Sequence, residues 1–510
     1  MNQKTLGVVY SYLCTFLQIV VSLFIPSFLI RILGKTDYGI YQMAQSFAGN
    51  LLVFNFGIAT IMSRNLVKYR YQKNEKGILQ TTFNGILSAG LTSCLTIIIG
   101  GILALLITPA YQKTLTSPEI GIVFKLYFIF MCSNTVYVWQ RWATGISTGY
   151  ERFGFTNGLN ILVQLLRVCL LIVLVAVTRS VFAVAVVEIC ANASHFLIEY
   201  IYCRKRLSVP IVCKKEHFDK FTFREFYTFG VAALLQSITR QVNISMPKIV
   251  VGMYMTAADV SLYSVVTTLT TAYITITKLI GSVYLPDATR LAVSSAPPTA
   301  YRKMMWLPML LQATISFAIL FGFAVLGKPF LRLWMGDGFE AMWFAVMTVF
   351  LPLSIANLAT LPDIVLDAKL KKLSRSITLI FTTIINITLS IFLVQKYGTM
   401  GAAIGSASAY LLGNIILMGI VYKRIIGVNV LSLYSKLALK IFPCGILAAA
   451  GAYALQSMLH DHISLLVLLI ICVVVFMLIY AMCIWYIALT SEEKQWALRK
   501  VRQFTKEGRV

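Results

Sequence analysis

Residues 154 to 177 read GFTNGLNILVQLLRVCLLIVLVAV, a stretch long and apolar enough to cross a bilayer as one helix. Four polar side chains nevertheless recur in it at steps of three, four and three: Asn157, Asn160, Gln164 and Arg167. That spacing places them on one helical face. Because a charge at bilayer depth is costly, such residues usually face a protein interior or an aqueous cavity. The stretch therefore predicts a membrane protein whose helices enclose a polar space.

The remainder of the chain has the same character. Of its 510 residues, 58% are hydrophobic and only 12% are charged, whereas soluble domains are about one quarter charged. Apolar runs of about 20 residues recur along the whole length. We predict an all-α polytopic membrane protein with about 14 transmembrane helices. They lie near 6–32, 39–62, 78–108, 118–140, 154–177, 180–201, 226–254, 260–285, 304–327, 339–362, 374–394, 398–421, 437–458 and 463–489.

The net charge of +25 is distributed according to membrane topology, which argues against a nucleic-acid partner. Roughly 32 of the 44 Lys and Arg residues fall in alternate loops and in the tail after Thr490. Positively charged loops stay in the cytoplasm. The pattern predicts a multi-pass protein of the bacterial cytoplasmic membrane with both termini in the cytoplasm.

The connections suggest two halves. The longest loop, 202–225, is basic and divides a six-helix half at 1–201 from a second at 226–421. Helices 13 and 14, within 422–489, and a basic tail at 490–510 lie outside this pseudo-repeat. The repeat is visible as LGKTDYGIYQ at 33–42 and VGMYMTAADVSLYS at 251–264, each of which opens the second span of a half. Internal repeats of this kind are typical of transporters.

Other polar stripes accompany the first and predict a central cavity between the halves. The candidate substrate-binding residues are polar or basic and lie within spans: Arg240, Arg167, Lys248, Lys278, Asn160, Gln164, Gln236 and Asn243. Arg240, near mid-membrane in span seven, is the strongest candidate for binding an anion. Arg31 and Lys125 lie near helix ends and are interpreted as interfacial anchors.

Arg167 and Glu188 are expected at nearly the same depth in a helical hairpin, so two interpretations stay open. They neutralise one another as a structural pair, or Arg167 binds an anion while Glu188 couples transport to a proton or sodium ion. His195, which lies in the same span as Glu188, is interpreted as a packing residue rather than as a proton relay.

The ten cysteines lie mostly in apolar spans and show no C-x-x-C pairing, so we expect neither disulfides nor a metal site. No cofactor is expected. The sequence also lacks the large external or carboxylate-rich domain that a membrane-bound polymerase or glycosyltransferase needs. Asp363 and Asp367, beside lysines, are interpreted as a solvated helix end.

With these residues, the chain resembles the polysaccharide-repeat-unit flippases, of O-antigen or capsule type, in the multidrug/oligosaccharidyl-lipid/polysaccharide exporter superfamily. The resemblance rests on four motifs found in the family's order: LIRILGKTDYGIYQMA (29–44), PKIVVGMYMTAADVSLYSV (247–265), GKPFLRLWMGDGFEAM (327–342) and IINITLSIFLVQKYGTMGAAIGSA (384–407). Relatives often carry Asp where this chain has Pro247. The resemblance thus implies that Lys248 lacks an acidic partner and is open to an anion.

The resemblance implies a transporter and no enzymatic activity. Its cargo would be a polyprenyl-pyrophosphate-linked oligosaccharide, moved by alternating access from the cytoplasmic to the outer leaflet for cell-surface polysaccharide synthesis. Membrane lipids and other polysaccharide-assembly membrane proteins are the implied partners. Two alternatives remain: a flippase for the peptidoglycan precursor lipid, and a multidrug or cation antiporter of the same superfamily. The antiporter is disfavoured because basic residues outnumber acidic ones at mid-membrane.

Overall fold

The computed structural model describes residues 3–55, 57–210, 214–278, 284–294, 296–369, 371–459 and 463–495, and every regular element in them is helical. The α-helices are α1 (Gln3–Gly49), α2 (Ile58–Tyr71), α3 (Glu75–Tyr111), α4 (Ser117–Gly149), α5 (Phe153–Thr178), α6 (Val181–Lys205), α7 (Lys220–Tyr254), α8 (Ala257–Lys278), α9 (Leu285–Val293), α10 (Pro298–Met335), α11 (Trp343–Ala356), α12 (Thr360–Ala368), α13 (Lys372–Ala409), α14 (Met418–Ile426), α15 (Val430–Leu459) and α16 (Leu465–Cys483). Short 3-10 segments connect several of them, and π-helical turns occur at Tyr410–Leu417 and Ile484–Ala488.

The predicted all-α membrane class is confirmed. Among the described residues, eleven continuous helical segments are long and apolar enough to cross a membrane. Two of them, Leu13–Tyr71 and Ser374–Ile426, each contain two predicted spans. Helix α7, which is not one of the eleven, contains the predicted span at 226–254. Over the described residues the predicted spans and the observed helices therefore coincide, although the helices are less often interrupted than expected; positions 279–283 of the predicted span 260–285 lie outside the described residues.

Two glycines mark where the long segments turn. Gly34 interrupts α1 with φ 85° and ψ 171°, and Gly398 interrupts α13 with φ 56° and ψ −137°. Residues with a Cβ rarely adopt positive φ, so glycine is the residue that fits these turns. Both lie in motifs identified in the sequence, and both separate two predicted spans without a loop.

The structure divides into two compact units, Met1–Thr268 with Leu389–Ala402, and Leu269–Thr388 with Ala403–Val510. In the first, α4 packs against α6 and α2, α1 against α5, and α7 against α1 and α3. One of its hydrophobic cores includes Trp142, Met62 and Ile146, each at most 2% exposed. In the second, α10, α15 and α16 pack together. The boundary predicted at 202–225 stays a prediction.

Candidate functional site

Helix α7 carries several of the predicted binding residues, and polar contacts fix both of its ends. At its start, the Asp219 carboxylate accepts hydrogen bonds from the hydroxyl and the backbone N–H of Thr222, each at 2.7 Å. These bonds stabilise the charged carboxylate and hold the pKa of Asp219 below its usual value. Near the other end, the Thr114 hydroxyl donates to the carbonyl of Gly252 at 2.6 Å. This bond links α7 to the turn that follows α3.

Lys248 is buried where α7 packs on α1. It is 9% exposed, and its ammonium donates a hydrogen bond to the side-chain oxygen of Gln42 at 3.1 Å. The amide nitrogen of Gln42 in turn donates to the Tyr38 hydroxyl at 2.7 Å. Within the described residues, no carboxylate lies within ion-pair distance of Lys248. A buried cation without a counterion costs several kcal/mol, so the site favours a negatively charged guest.

The other predicted residues of α7 have different surroundings. Arg240 is exposed and lies roughly 12 Å along the helix axis from Lys248, on a different part of its circumference. The Asn243 amide donates to the carbonyl of Thr239 on its own helix at 2.8 Å. Gln236 belongs to α7, but its side chain lies outside the part of the structure that is described.

Arg167 of α5 forms an ion pair with Glu188 of α6, as the matched depths predicted. Both side chains are about three-quarters buried, 28% and 25% exposed respectively. The Arg167 Nε atom is buried and has no hydrogen-bond partner among the described residues. Gln164 and Asn160, about one and two turns earlier on α5, are partly exposed. The pairing of Arg167 and Glu188 is thus observed, while an ion-coupling role for Glu188 remains a prediction.

Helix α1 connects the arginine pair to the buried lysine. Tyr41, 7% exposed, lies close enough to Arg167 and Glu188 to interact electrostatically with both. Its ring contacts that of Tyr38 with centroids 5.7 Å apart. Tyr38 belongs to the Lys248 network, so the two predicted cationic positions are joined through one turn of α1.

Sequence reasoning did not assign these α1 residues to the site, although the signal was present. Tyr38, Tyr41 and Gln42 all lie in the LGKTDYGIYQ motif, which served as evidence of an internal repeat and of the family resemblance but not of a binding site. Tyr41 and Gln42 lie three and four positions after Tyr38, which places all three on one side of a helix.

Lys278 belongs to the second unit, where it is exposed and acts electrostatically on Asp363 of α12. The expectation that Asp363 and Asp367 form a solvated helix end is wrong. Asp363 is 21% exposed, accepts a hydrogen bond from the Tyr422 hydroxyl at 2.8 Å, and pairs with Arg375 at 3.1 Å. Partners from α13 and α14 therefore replace water around it.

The polar residues around Lys248 suit an anion rather than a metal ion. We define the lysine–tyrosine site as Tyr38, Tyr41, Gln42 and Lys248, which carries one cation and three neutral polar groups. Across the described residues, no three His, Cys, Asp or Glu side chains are grouped so that they could hold a metal ion. Ammonium, phenol and amide groups are hydrogen-bonding partners for phosphate and sugar oxygens.

Residues 5–292 match the family model described as "Polysaccharide biosynthesis protein". The chain belongs to this family. A relative from Shigella flexneri named "Putative O-antigen transporter" is 24% identical over 388 residues, covering 74% of this chain and 89% of its own length. The family resemblance inferred from the motifs is confirmed.

Solved structures identify the fold. A structure of the lipid II flippase MurJ in an inward closed conformation superposes with a TM-score of 0.70 at 14% identity, covering 94% of this chain and 99% of that one. An inward-facing multidrug resistance MATE family transporter of the MOP superfamily gives a TM-score of 0.66 at 11% identity, with 81% and 94% covered. The chain thus has the fold of this superfamily.

Proposed function

We propose that this protein is a flippase that moves a polyprenyl-pyrophosphate-linked oligosaccharide from the cytoplasmic to the outer leaflet of the bacterial inner membrane. The observation that carries the proposal is that Lys248 is buried and donates a hydrogen bond to the amide of Gln42, while no carboxylate of the described residues lies within ion-pair distance. Two tyrosines connect it to Arg167, which is paired with Glu188 and would supply a second cation when that pair opens. The Shigella relative, named for O-antigen transport, supports the same class of cargo.

The chemistry of the cargo fits these groups. A pyrophosphate brings negative charge that must leave water, and ammonium and guanidinium groups bind its oxygens through charge-assisted hydrogen bonds. Sugar hydroxyls are matched by phenols and amides, as in the lysine–tyrosine site. The lipid tail remains in the bilayer throughout, so only the polar part needs a protein path. Alternating access of two halves, with both termini in the cytoplasm, belongs to the same proposal.

A second candidate is a flippase for the peptidoglycan precursor. The observation that favours it is the extent of the structural likeness to the lipid II flippase, which covers 94% of this chain. Its cargo also carries a pyrophosphate, so the cation chemistry cannot separate the two. A cation antiporter is less well supported. It would need a carboxylate to bind a cation, and Arg167 already neutralises the carboxylate of Glu188.

The test is a leaflet-to-leaflet assay in proteoliposomes. Wild-type protein receives either a polyprenyl-pyrophosphate oligosaccharide or lipid II in one leaflet, and appearance in the other is followed. Lys248→Gln and Arg240→Gln should each reduce translocation by about tenfold or more, which corresponds to about 1.4 kcal/mol of lost binding. Lys125→Gln, which removes an exposed lysine of α4, is the matched control and should leave the rate unchanged.

The outcomes discriminate between the candidates. Translocation of the oligosaccharide lipid in preference to lipid II supports the principal proposal, and the reverse preference supports the second. If wild-type protein moves neither lipid but exchanges small cations across the membrane, the proposed cargo is wrong.

A further inference from the structure

A second polar cluster is buried inside the first unit, where α6 packs against α4 and α5. Its centre is Glu199, which is fully buried. The carboxylate accepts hydrogen bonds from the hydroxyls of Thr144 at 2.6 Å and Ser147 at 2.5 Å, both on α4. The Ser147 hydroxyl also lies 2.9 Å from that of Thr156 on α5. One acidic group therefore organises hydrogen bonds among three helices.

His195 lies one turn before Glu199 on α6, and its side chain is 3% exposed. Its Nδ1 atom is 3.8 Å from a carboxylate oxygen of Glu199. Neither ring nitrogen has a hydrogen-bond partner among the described residues. Buried polar groups are nearly always satisfied, so an imidazole with two unsatisfied nitrogens beside a buried carboxylate requires an explanation.

The groups that act on this pair come from the helices packed around it. Arg141 of α4 influences both members electrostatically, and Cys203 lies close to the carboxylate on α6. Helix α5 contributes the neutral hydroxyl of Thr156. Tyr41 of α1 interacts electrostatically with Glu188 of α6 and not with Glu199 or His195. Arg141 is thus a nearby cation that favours a negative charge on the pair.

The pair has two chemically distinct states. Without a proton, Glu199 is a carboxylate and His195 is neutral, so the buried pair carries one negative charge. With one proton, the pair is neutral overall, either as a carboxylic acid beside imidazole or as a carboxylate beside imidazolium. Burial makes the negative state of the pair costlier than its neutral state, and the positive charge of Arg141 offsets part of that cost, so a single proton changes the local energetics.

We infer that Glu199 and His195 together bind one exchangeable proton at a site separate from Arg167 and Glu188. Protonation alters the hydrogen bonds between helices. A carboxylate accepts from both α4 hydroxyls, whereas a carboxylic acid must donate its own O–H, so that one hydroxyl or the imidazole becomes an acceptor. The contact of α6 with α4 and α5 is therefore sensitive to the proton.

Infrared difference spectroscopy tests this inference on the full chain in lipid nanodiscs. Spectra recorded from about pH 4 to about pH 9 span the ordinary titration range of carboxyl and imidazole groups. Wild-type protein should show the C=O stretch of a buried carboxyl that appears and disappears with pH. Glu199→Gln should abolish this band. His195→Gln should retain it but move its midpoint by about one pH unit, as expected for coupled groups.

The controls make every outcome decisive. Glu151→Gln removes an exposed carboxylate between α4 and α5 and should leave the band unchanged. A band that survives Glu199→Gln, a midpoint that His195→Gln does not move, or no titrating band in wild type would each overturn the inference. A band displaced by Na⁺ relative to choline would assign a sodium site instead.

If Glu199→Gln does not fold, a second variant, Glu199→Asp, tests the same assignment. Glu199→Asp keeps a carboxyl one methylene shorter, and its band should shift in frequency if Glu199 is the titrating group. An unshifted band would refute the assignment. Because the readout needs no lipid cargo, failure of the proposed flippase activity would leave this result unaffected.

Discussion

The ammonium of Lys248 and the side-chain oxygen of Gln42 lie 3.1 Å apart and join α7 to α1 across 206 positions of sequence. An amide oxygen carries only a partial negative charge, so the bond satisfies one donor without neutralising the cation. The lysine therefore retains the capacity to attract an anion. Replacing the amide of Gln42 by a carboxylate would supply the negative charge that Lys248 lacks.

Gln42→Glu should stabilise the protein and impair transport. A carboxylate at this position would form a charge-assisted hydrogen bond with Lys248, which contributes about 1.5–3 kcal/mol. The neutralised lysine would then lose its attraction for pyrophosphate, and translocation should fall by about tenfold. Thermal unfolding and the proteoliposome assay measure the two effects. Gln112→Glu adds the same charge at an exposed helix end and serves as control. Undiminished transport by Gln42→Glu would exclude Lys248 from anion binding.

Exchange of the Arg167–Glu188 pair separates structure from function. Each single reversal, Arg167→Glu or Glu188→Arg, places like charges together and should lower stability by about 1–3 kcal/mol. The double reversal should restore thermal stability, because the ion pair is re-formed with opposite polarity. Transport should stay low, since the cation then projects from α6 instead of α5. Full recovery of transport by the double variant would assign the pair a structural role only.

Glu493 predicts a defined acid sensitivity. Its carboxylate accepts hydrogen bonds from the Lys440 ammonium at 2.6 Å and the Trp306 indole at 2.9 Å. Burial alone would raise the pKa of Glu493, but the hydrogen bonds from Lys440, the Thr490 backbone and Trp306 outweigh it, so the pKa is lowered from 4.5. Because the folded-state pKa is depressed, this stabilisation is present above pH 4.5 and is lost as pH falls through the lowered value.

Glu493→Gln should therefore reduce the free energy of unfolding at neutral pH by about 1–2 kcal/mol, and the difference from wild type should shrink below pH 4.5. Melting curves over a pH series provide the measurement. Glu492→Gln, one position earlier and exposed, removes an equal charge and should follow wild type throughout. A difference that persists unchanged into acid would show that hydrogen bonding by the amide, and not charge, decides the outcome.

Gly39 tests the contact between the two repeated motifs. A Cβ at this position would overlap the backbone carbonyl of Ala257 at the start of α8. Gly39→Ala should therefore force the helices apart and destabilise the protein by about 1–3 kcal/mol. Gly90→Ala on α3 meets nothing within 4 Å and should be neutral or mildly stabilising. Equal melting temperatures for the two variants would contradict the close approach.

Local patterns predicted the helices well, because the length of an apolar run and the thickness of the bilayer determine them jointly. The pairing of Arg167 with Glu188 was also foreseeable, since a short hairpin fixes the relative depth of its two helices. The absence of an acid near Lys248 among the described residues agrees with the family resemblance, because relatives often carry Asp where this chain has Pro247. The first two inferences needed only adjacent parts of the sequence.

Contacts between distant helices were not accessible in this way. Periodicity identifies the polar face of a helix but not the helix that it meets, so the bond from Lys248 to Gln42 could not be derived. Asp363 illustrates the same limit, because its lysine neighbours suggested solvent while Arg375 and Tyr422 arrive from later helices.

The first unit contains a segment from late in the chain, Leu389–Ala402. Within that unit the Tyr263 hydroxyl donates a hydrogen bond to the carbonyl of Ala402 at 3.4 Å. A ribosome must therefore synthesise roughly 130 further residues after Thr268, through Ala402, before this unit can close, which takes on the order of ten seconds. During that interval the partly assembled helices wait in the bilayer with part of their packing surface uncovered. The packing of the first unit in the membrane therefore depends on a segment that is synthesised after most of that unit.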